Sequence, residues 1–435
     1  PRLIVEETTI SDLYCAPRGT IYTESGFQSI KNAGNKDLSA KAYAPFMGIA
    51  QAIPLDSLPG AEFVMYLDFD GEEVTDPTWT INGASIDALP HPRANDDFFV
   101  TSVWQRVAED FAPFDITVTT DVTIYDAADS DKRLHVVITP TDDVAPGVGG
   151  FARLFSFRNA SPVVWVFNES EYSCATTISH EAGHAFGLSH DSLIGLLVPD
   201  DYYSGHNDSY APGWAPIMGA AFGDGFFDEV DQWSKGEYED ANNPEDDLLI
   251  IGGNRNGFGF KDDDYSDSIS GDDVGALSLI GVDLIGGSGL ISRSNDIDVF
   301  RFASTDGDIS LTVSPLDVDS SDSLVESSTQ GANLAVQANL LDSNGLVIAT
   351  GTPDGPVFLD STLTTTLSAG IYYISVEGAG RGADPATGFS DYGSLGEYSI
   401  VAELPIPPLS VIGGEGEYKH ENPIVQGDVN TQVSN

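Results

Sequence analysis

The segment HEAGHAFGLSH, residues 180–190, constrains this chain more than any other feature of its sequence. His180 and His184 lie four residues apart and therefore project from the same face of a helix. Gly187 can adopt the left-handed conformation that ends a helix, which turns the chain so that His190 approaches the same point. Three imidazoles that converge in this way can bind one zinc ion. We therefore predict His180, His184 and His190 as zinc ligands.

Glu181 follows the first histidine of this segment. A neighbour in sequence points about 100° away around a helix, so Glu181 is poorly placed to be a fourth ligand. Catalytic zinc usually has three protein ligands and one open position, at which water loses a proton readily. Glu181 can accept that proton and later deliver it to a leaving amine. The segment predicts peptide-bond hydrolysis with Glu181 as the catalytic base and acid.

The segment resembles the extended zinc motif of the metzincin metalloproteases at every fixed position. This resemblance implies a methionine beneath the histidines, and Met218 in GWAPIMGA stands at the expected distance along the chain. Asp191, directly after the third histidine, resembles the reprolysin or adamalysin branch, in which this acid braces the methionine turn. Ala220 stands where astacin-like and serralysin-like members carry a tyrosine, so a tyrosine ligand from that position is excluded.

The resemblance implies an α+β metzincin catalytic domain over residues 59–258, with a mixed twisted sheet and the zinc helix. Apolar patterning predicts a strand at Glu62–Gly71 and a helix at about Asp97–Phe111, followed by three more strands. Val164 and Val166 alternate with Trp165 in the last of these strands, which predicts an edge strand able to pair with extended substrate.

Two further predictions concern the residues between His190 and Met218 and those that follow Met218. Tyr202, Tyr203 and His206 lie in the intervening loop and could line the substrate cleft, although we favour a place on the loop surface for each of them. Residues 228–251, which follow the methionine, are interpreted as a closing helix of the catalytic domain.

Residues 259–404 are poor in helix signals, and their short apolar runs are separated by glycine, aspartate, asparagine and serine turns. This pattern predicts an antiparallel β-sandwich. The region resembles the bacterial prepeptidase C-terminal domain, which implies a role in secretion or substrate binding without chemistry of its own. We interpret residues 1–58 as a propeptide or N-terminal segment and residues 405–435 as a linker or tail.

Cys15 and Cys174 are the only cysteines, which is enough for one disulfide in an oxidising compartment. A bridge between them would tether the N-terminal segment and leave the open zinc position accessible. In a second interpretation Cys15 places its thiolate on the zinc, as the prosegments of some metzincins do, and the enzyme is latent. Two free thiols are the third alternative.

The chain has 18 basic and 68 acidic side chains, a formal charge of −50. Such a charge argues against nucleic acid or an anionic membrane as a partner, and it is most easily tolerated where salt screens it or cations bind. Oxygen ligands at short spacing suit Ca²⁺. The candidate calcium ligands are the clustered aspartates Asp262, Asp263, Asp264, Asp272, Asp273, Asp296 and Asp298.

Together these features predict a secreted, monomeric zinc endopeptidase that acts on protein or peptide substrates. The chain begins at Pro1 without an initiator methionine, so we expect a processed form and infer secretion from the class of protease. Two alternatives remain open. The chain could be an adhesion or substrate-binding protein with a latent metzincin domain, or a zinc amidase acting on cell-wall peptides.

Overall fold

The computed structural model describes most of the chain between residues 54 and 405. The described ranges are 13–14, 54–76, 78–79, 84–159, 162–195, 202–206, 213–220, 230–281, 283–316, 318, 331–353, 359–382 and 386–405. Within them the protein is rich in β-structure, has few helices and contains mixed sheets. No helix in these ranges combines the length and the apolar character needed to cross a membrane.

The first region contains a mixed sheet with helices packed against it. Its strands are β1 (Leu13–Tyr14), β2 (Val64–Asp68), β3 (Glu72–Val74), β4 (Ile86–Ala88), β5 (Thr117–Thr119), β6 (Arg133–Ile138), β7 (Gly150–Arg153), β8 (Val163–Val166), β9 (Trp214–Pro216) and β10 (Val230–Gln232). Its helices are α1 (Asp97–Asp110), α2 (Val122–Ala127), α3 (Glu171–Phe186) and α4 (Asp247–Ile251).

The main sheet has the order β1-β7-β8-β6-β2-β5. Strands β8, β6, β2 and β5 are parallel, whereas β7 runs antiparallel to β8 and β1 runs antiparallel to β7. The prediction that the Val163–Val166 strand lies at an edge is therefore wrong, because β7 and β6 flank it on both sides. Its continuous apolar sequence is explained by burial on both faces of an interior parallel strand.

Helix α1 confirms the prediction for residues 97–111. Asp96 caps its first turn by accepting a hydrogen bond from the backbone N–H of Phe99 at 3.3 Å. Phe99, Val103 and Val107 are fully buried on one face, and this face packs the helix into the core beside α3.

The predicted closing helix is wrong over most of its length. Residues 230–232 instead form β10, which pairs in parallel with β9, and only Asp247–Ile251 are helical in this part of the described chain. Gly236 has a left-handed φ of 75°, and a Cβ there would lie 2.3 Å from the backbone oxygen of Asn243, so a regular helix does not continue through it.

The second region consists of two five-stranded sheets, in agreement with the predicted strands. The first has the order β12 (Ser278–Gly281), β13 (Leu284–Ile291), β20 (Gly396–Glu403), β15 (Gly307–Pro315) and β18 (Ser361–Leu367). The second has the order β11 (Gly275–Ala276), β14 (Ile297–Ser304), β19 (Gly370–Gly378), β16 (Val336–Leu341) and β17 (Val347–Gly351). All pairs are antiparallel except β11 with β14.

Candidate metal centre

Helix α3 carries the first part of the histidine segment. It ends at Gly187, whose φ of 116° is left-handed and whose backbone N–H donates to the carbonyl oxygens of Gly183 and His184. A Cβ at Gly187 would also meet the ring of Phe155. The predicted role of this glycine in ending the helix is therefore confirmed. His180, Glu181 and His184 are all fully buried on α3.

Backbone carbonyls hold two of the three imidazoles. The Nδ1 atom of His180 lies 2.8 Å from the carbonyl oxygen of Ile217, and that of His184 lies 2.8 Å from the carbonyl oxygen of Leu188. A carbonyl oxygen can only accept, so each Nδ1 must carry the proton and each Nε2 presents a lone pair. This is the tautomer in which Nε2 can bind a metal ion.

The three histidines converge. The Nε2 atoms of His184 and His190 are 3.0 Å apart, and the three rings offer ligand atoms that all lie within 4.8 Å of one another. Burial lowers the pKa of His180 to about 4 and that of His190 to about 2, and it holds the pKa of His184 well below its ordinary value, so all three rings are neutral near pH 7. The buried Nε2 of His180 has no hydrogen-bond partner among the described residues. These properties fit a divalent metal ion at the point of convergence.

Met218 lies directly beneath the histidine segment. It is fully buried, and its sulfur is so close to Gly183 that a Cβ on that glycine would lie 2.5 Å from Sδ. Gly183 stands between His180 and His184 in the sequence, so the thioether packs against the middle of the segment. The structure thus places Met218 where the sequence predicts it.

Asp191 is connected to this methionine through the backbone. Its N–H donates to the carbonyl oxygen of Met218 at 2.8 Å, while its carboxyl group interacts with Tyr238 and Asn243. Burial, with the nearby carboxylate of Glu245, raises the pKa of Asp191 to about 8. The residue therefore links the end of the histidine segment to the methionine and to the chain that follows it.

Gly150, the first residue of β7, faces Glu181 and was not identified from the sequence. A Cβ at Gly150 would lie 2.7 Å from Cγ and 2.8 Å from Oε1 of Glu181, and 2.6 Å from Cγ2 of Thr177. The Glu181 side chain therefore extends towards the antiparallel strand through space that only a glycine leaves open. A GG pair before a short apolar run was the sequence signal available for it.

Tyr203 departs from the predicted surface loop of residues 202–206, since it is the buried residue of that segment. Tyr203 is buried, stacks on Tyr238 with ring centroids 4.3 Å apart, and its hydroxyl lies 2.7 Å from Nδ1 of His206. The ring of Tyr202 lies 4.4 Å from that of His190 and 5.9 Å from that of His180. Aromatic packing explains the burial of Tyr203, because its ring joins a hydrophobic cluster with Trp214, Val230 and Tyr238.

Cys174 is a buried free thiol on α3, and burial raises its pKa far above the ordinary value. Among the described residues Cys174 forms no disulfide, and its predicted pairing with Cys15 stays a prediction. Cys15 itself lies outside the described residues, and its approach to the metal centre stays a prediction.

Four of the candidate calcium ligands lie in two groups of carboxylates that share Asp263. Carboxylate oxygens of Asp263, Asp267 and Asp296 lie within 4.8 Å of one another, as do those of Asp263, Asp264 and Asp298. Asp262, Asp272 and Asp273 are exposed and belong to neither group, whereas Asp267 was not among the predicted ligands. The sequence separation of these aspartates did not indicate which of them the fold brings together.

No protein-family model matches the chain, and no curated protein matches it. Part of the chain is similar to the prepeptidase C-terminal domain of a collagenase from Bacillus anthracis, with 14% identity, a TM-score of 0.18, and coverage of 29% of this chain and 90% of that domain. It is also similar to the periplasmic g-type lysozyme inhibitor PliG of Aeromonas hydrophila and of Salmonella Typhimurium, with 14% and 15% identity and TM-scores of 0.17 and 0.18. Each inhibitor match covers 30% of this chain and 96% of the inhibitor. These resemblances are weak and identify no function.

Proposed function

We propose that this protein is a secreted zinc endopeptidase of the metzincin type, followed by a sandwich of the prepeptidase C-terminal type. The observation that carries the proposal is the convergence of three neutral imidazoles, two of them buried and that of His190 half-buried, next to Glu181, whose side chain is fully buried. His180, His184 and His190 would hold the zinc ion. Bound there, zinc supplies a Lewis acid for the scissile carbonyl and lowers the pKa of the attacking water.

The protein's own groups account for the remaining steps. The carbonyls of Ile217 and Leu188 fix the orientation of two imidazoles, so these ligands need little rearrangement. Glu181 takes a proton from the attacking water and transfers it to the leaving amine. Gly150 leaves the space in which this carboxyl group lies.

Strand β7 is the element against which an extended peptide would bind. At its edge of the main sheet only the two-residue β1 lies beyond it, and its first residue faces Glu181. A peptide added antiparallel to its outer edge would gain backbone hydrogen bonds close to the metal centre. Leu13 and Tyr14 pair with Arg153 and Ala152 at this edge. This pairing supports a latent form in which the N-terminal segment occupies the position where the substrate would bind.

Metal analysis combined with hydrolysis assays tests the function. We expect about one zinc ion per purified chain, cleavage of casein that is abolished by a chelator, and recovery when zinc is added back. If the chain is latent, cleavage appears only after limited proteolysis removes the residues before Leu55, with the zinc content unchanged.

Other outcomes identify the rival functions. A chain that cleaves peptidoglycan stem peptides but no protein would be a zinc amidase. A chain that contains zinc and cleaves nothing, before or after proteolysis, would be an adhesion or substrate-binding protein. A chain without bound zinc under metal-replete conditions would contradict the proposal itself.

We further propose that the aspartate groups around Asp296 and Asp298 bind Ca²⁺. Both residues are buried, and the Oδ1 atom of each lacks a hydrogen-bond partner among the described residues. Burial raises the pKa of Asp298 to about 8 and that of Asp264 to about 6. Carboxyl groups gathered in this way are unfavourable without a cation, and oxygen-rich sites of this kind suit Ca²⁺.

Thermal unfolding tests the calcium proposal. With free calcium at about 100 times its dissociation constant, binding adds about 2.7 kcal/mol to the free energy of unfolding, and we expect Tm to rise by several degrees. In Asp298→Asn this rise should be largely lost, while the exposed change Asp272→Asn should leave it intact. Equal calcium-dependent shifts in both variants would place the binding elsewhere.

A further inference from the structure

The C-terminal sandwich is packed into the unit that contains the metal centre. One hydrophobic cluster includes Phe111 and Ile178 of the first region together with Leu334 and Leu395 of the second. Fully buried contacts of this kind are typical of a single core and are absent from loosely tethered modules. The sandwich is therefore a structural part of the catalytic unit, which the sequence did not predict.

Asp110, the last residue of α1, is the polar centre of this contact. It is only 4% exposed. Its Oδ1 accepts a hydrogen bond from Nδ2 of Asn333 at 2.7 Å, and its Oδ2 accepts one from the hydroxyl of Ser179. Its backbone oxygen accepts a third, from the indole N–H of Trp233 at 2.7 Å. One buried residue thus joins the sandwich, the zinc helix and the chain that follows the methionine.

Ser179 directly precedes His180 on α3. Its hydrogen bond to Asp110 fixes how this part of the helix is rotated about its axis and where it lies along that axis. A buried carboxyl group is satisfied only when its donors stay in place, and loss of one donor leaves a costly unpaired oxygen. Movement of Asn333 would therefore shift Asp110, and with it Ser179 and the adjacent ligand.

Asn333 is itself held by the first region. Its backbone oxygen accepts a hydrogen bond from Nε2 of Gln232, and Gln232 also lies 3.3 Å from the hydroxyl of Ser394 on the sandwich. The side chain of Asn333 is 4% exposed, so water does not compete for its bond to Asp110. The asparagine is therefore fixed at both its backbone and its side chain.

We propose that Asn333, supplied by the C-terminal sandwich, is a positioning residue of the metal centre that acts through Asp110 and Ser179 on His180. This inference rests on the proposed zinc peptidase function. It assigns to the sandwich a role in setting the geometry of the centre, beyond secretion or substrate capture.

A double-mutant cycle on the full chain tests this proposal. Asn333→Leu and Ser179→Ala are each expected to lower kcat by about 10-fold with little change in KM, and to weaken zinc binding about 10-fold in a chelator competition assay. Because both act through one hydrogen-bonded chain, the combined variant should be little worse than either single variant. Independent effects that multiply would overturn the proposal.

A swap of the two side chains provides a rescue. In the double variant Asp110→Asn with Asn333→Asp, the new amide at position 110 can donate to the new carboxylate at position 333. The amide oxygen at position 110 can still accept from the hydroxyl of Ser179. We expect this double variant to regain most of the zinc affinity that each single change loses. Failure of the swap to improve on the single variants would count against a specific hydrogen bond.

Asn339→Leu is the matched control, because Asn339 lies on β16 and its side chain forms hydrogen bonds with Ser375, Glu377 and Thr350, all of which belong to the sandwich. It should leave kcat and zinc affinity unchanged. If Asn333→Leu does not fold, Ser179→Ala alone decides, since a folded Ser179→Ala with native kcat and zinc affinity overturns the proposal. A wild-type chain that neither binds zinc nor cleaves peptides would instead refute the proposed function.

Discussion

Replacing Glu181 by glutamine is expected to lower kcat/KM for a peptide substrate by about 100-fold to 10,000-fold, with the zinc content unchanged. The glutamine amide has nearly the shape of the carboxyl group but cannot accept and return a proton. The side chain is fully buried beside the converging imidazoles, so water or buffer is poorly placed to replace it. Steady-state kinetics and metal analysis of the same preparation measure both quantities.

Glu169→Gln is the control for this change. Glu169 is exposed and lies just before the zinc helix, so the same chemical change there removes a charge without touching the centre. Its kcat/KM should match that of the wild-type chain. Loss of zinc in Glu181→Gln would show that the carboxyl group binds the metal, and native activity would remove Glu181 from the mechanism.

Gly150→Ala is expected to lower kcat by about 100-fold while zinc affinity is retained. The new methyl group would stand 2.7 Å from Cγ and 2.8 Å from Oε1 of Glu181, too close for either to keep its position. A displacement of about 1 Å in a catalytic group can cost about 100-fold in rate. Zinc affinity, kcat and KM should be measured together, because the geometry predicts that kcat changes most.

Gly370→Ala is a suitable control, since a Cβ there meets nothing closer than 3.4 Å and the site lies on the sandwich. The control should have native kcat and a similar Tm. A Gly150→Ala enzyme with native kcat would show that the Glu181 side chain has room to move without loss of function. A variant that loses zinc would indicate a wider rearrangement of α3.

Local features of the metal centre could be predicted because they depend on residues close in sequence. Helical geometry places His180 and His184 on one face, and the glycine at 187 ends the helix. The structure also places Met218 beneath the segment, as the spacing suggested. Apolar patterning also predicted strands β2, β5, β6 and β8 of the first region and several strands of the sandwich, since each pattern reports the burial of a single element.

Contacts between distant elements could not be predicted. The closing-helix prediction is wrong because residues 230–232 pair with β9, a partner about fifteen residues earlier that the local pattern does not reveal. The edge-strand prediction failed because strand order depends on pairing partners far along the chain, and β8 is buried between two neighbours. Gly150 was missed since its importance depends on Glu181, which lies on another element.

The sequence by itself determined the chemistry available at the centre, because the ligand types, their spacing and the neighbouring carboxyl group are all encoded within eleven residues. Only the tertiary structure decided the surroundings of that centre: which carbonyls orient the imidazoles, which strand faces Glu181, and how the sandwich reaches the zinc helix. Asn333 and Asp110 are separated by 223 residues, yet their side chains meet in the buried core. Such a contact is set by the packing of whole layers, and local sequence patterns carry no information about it.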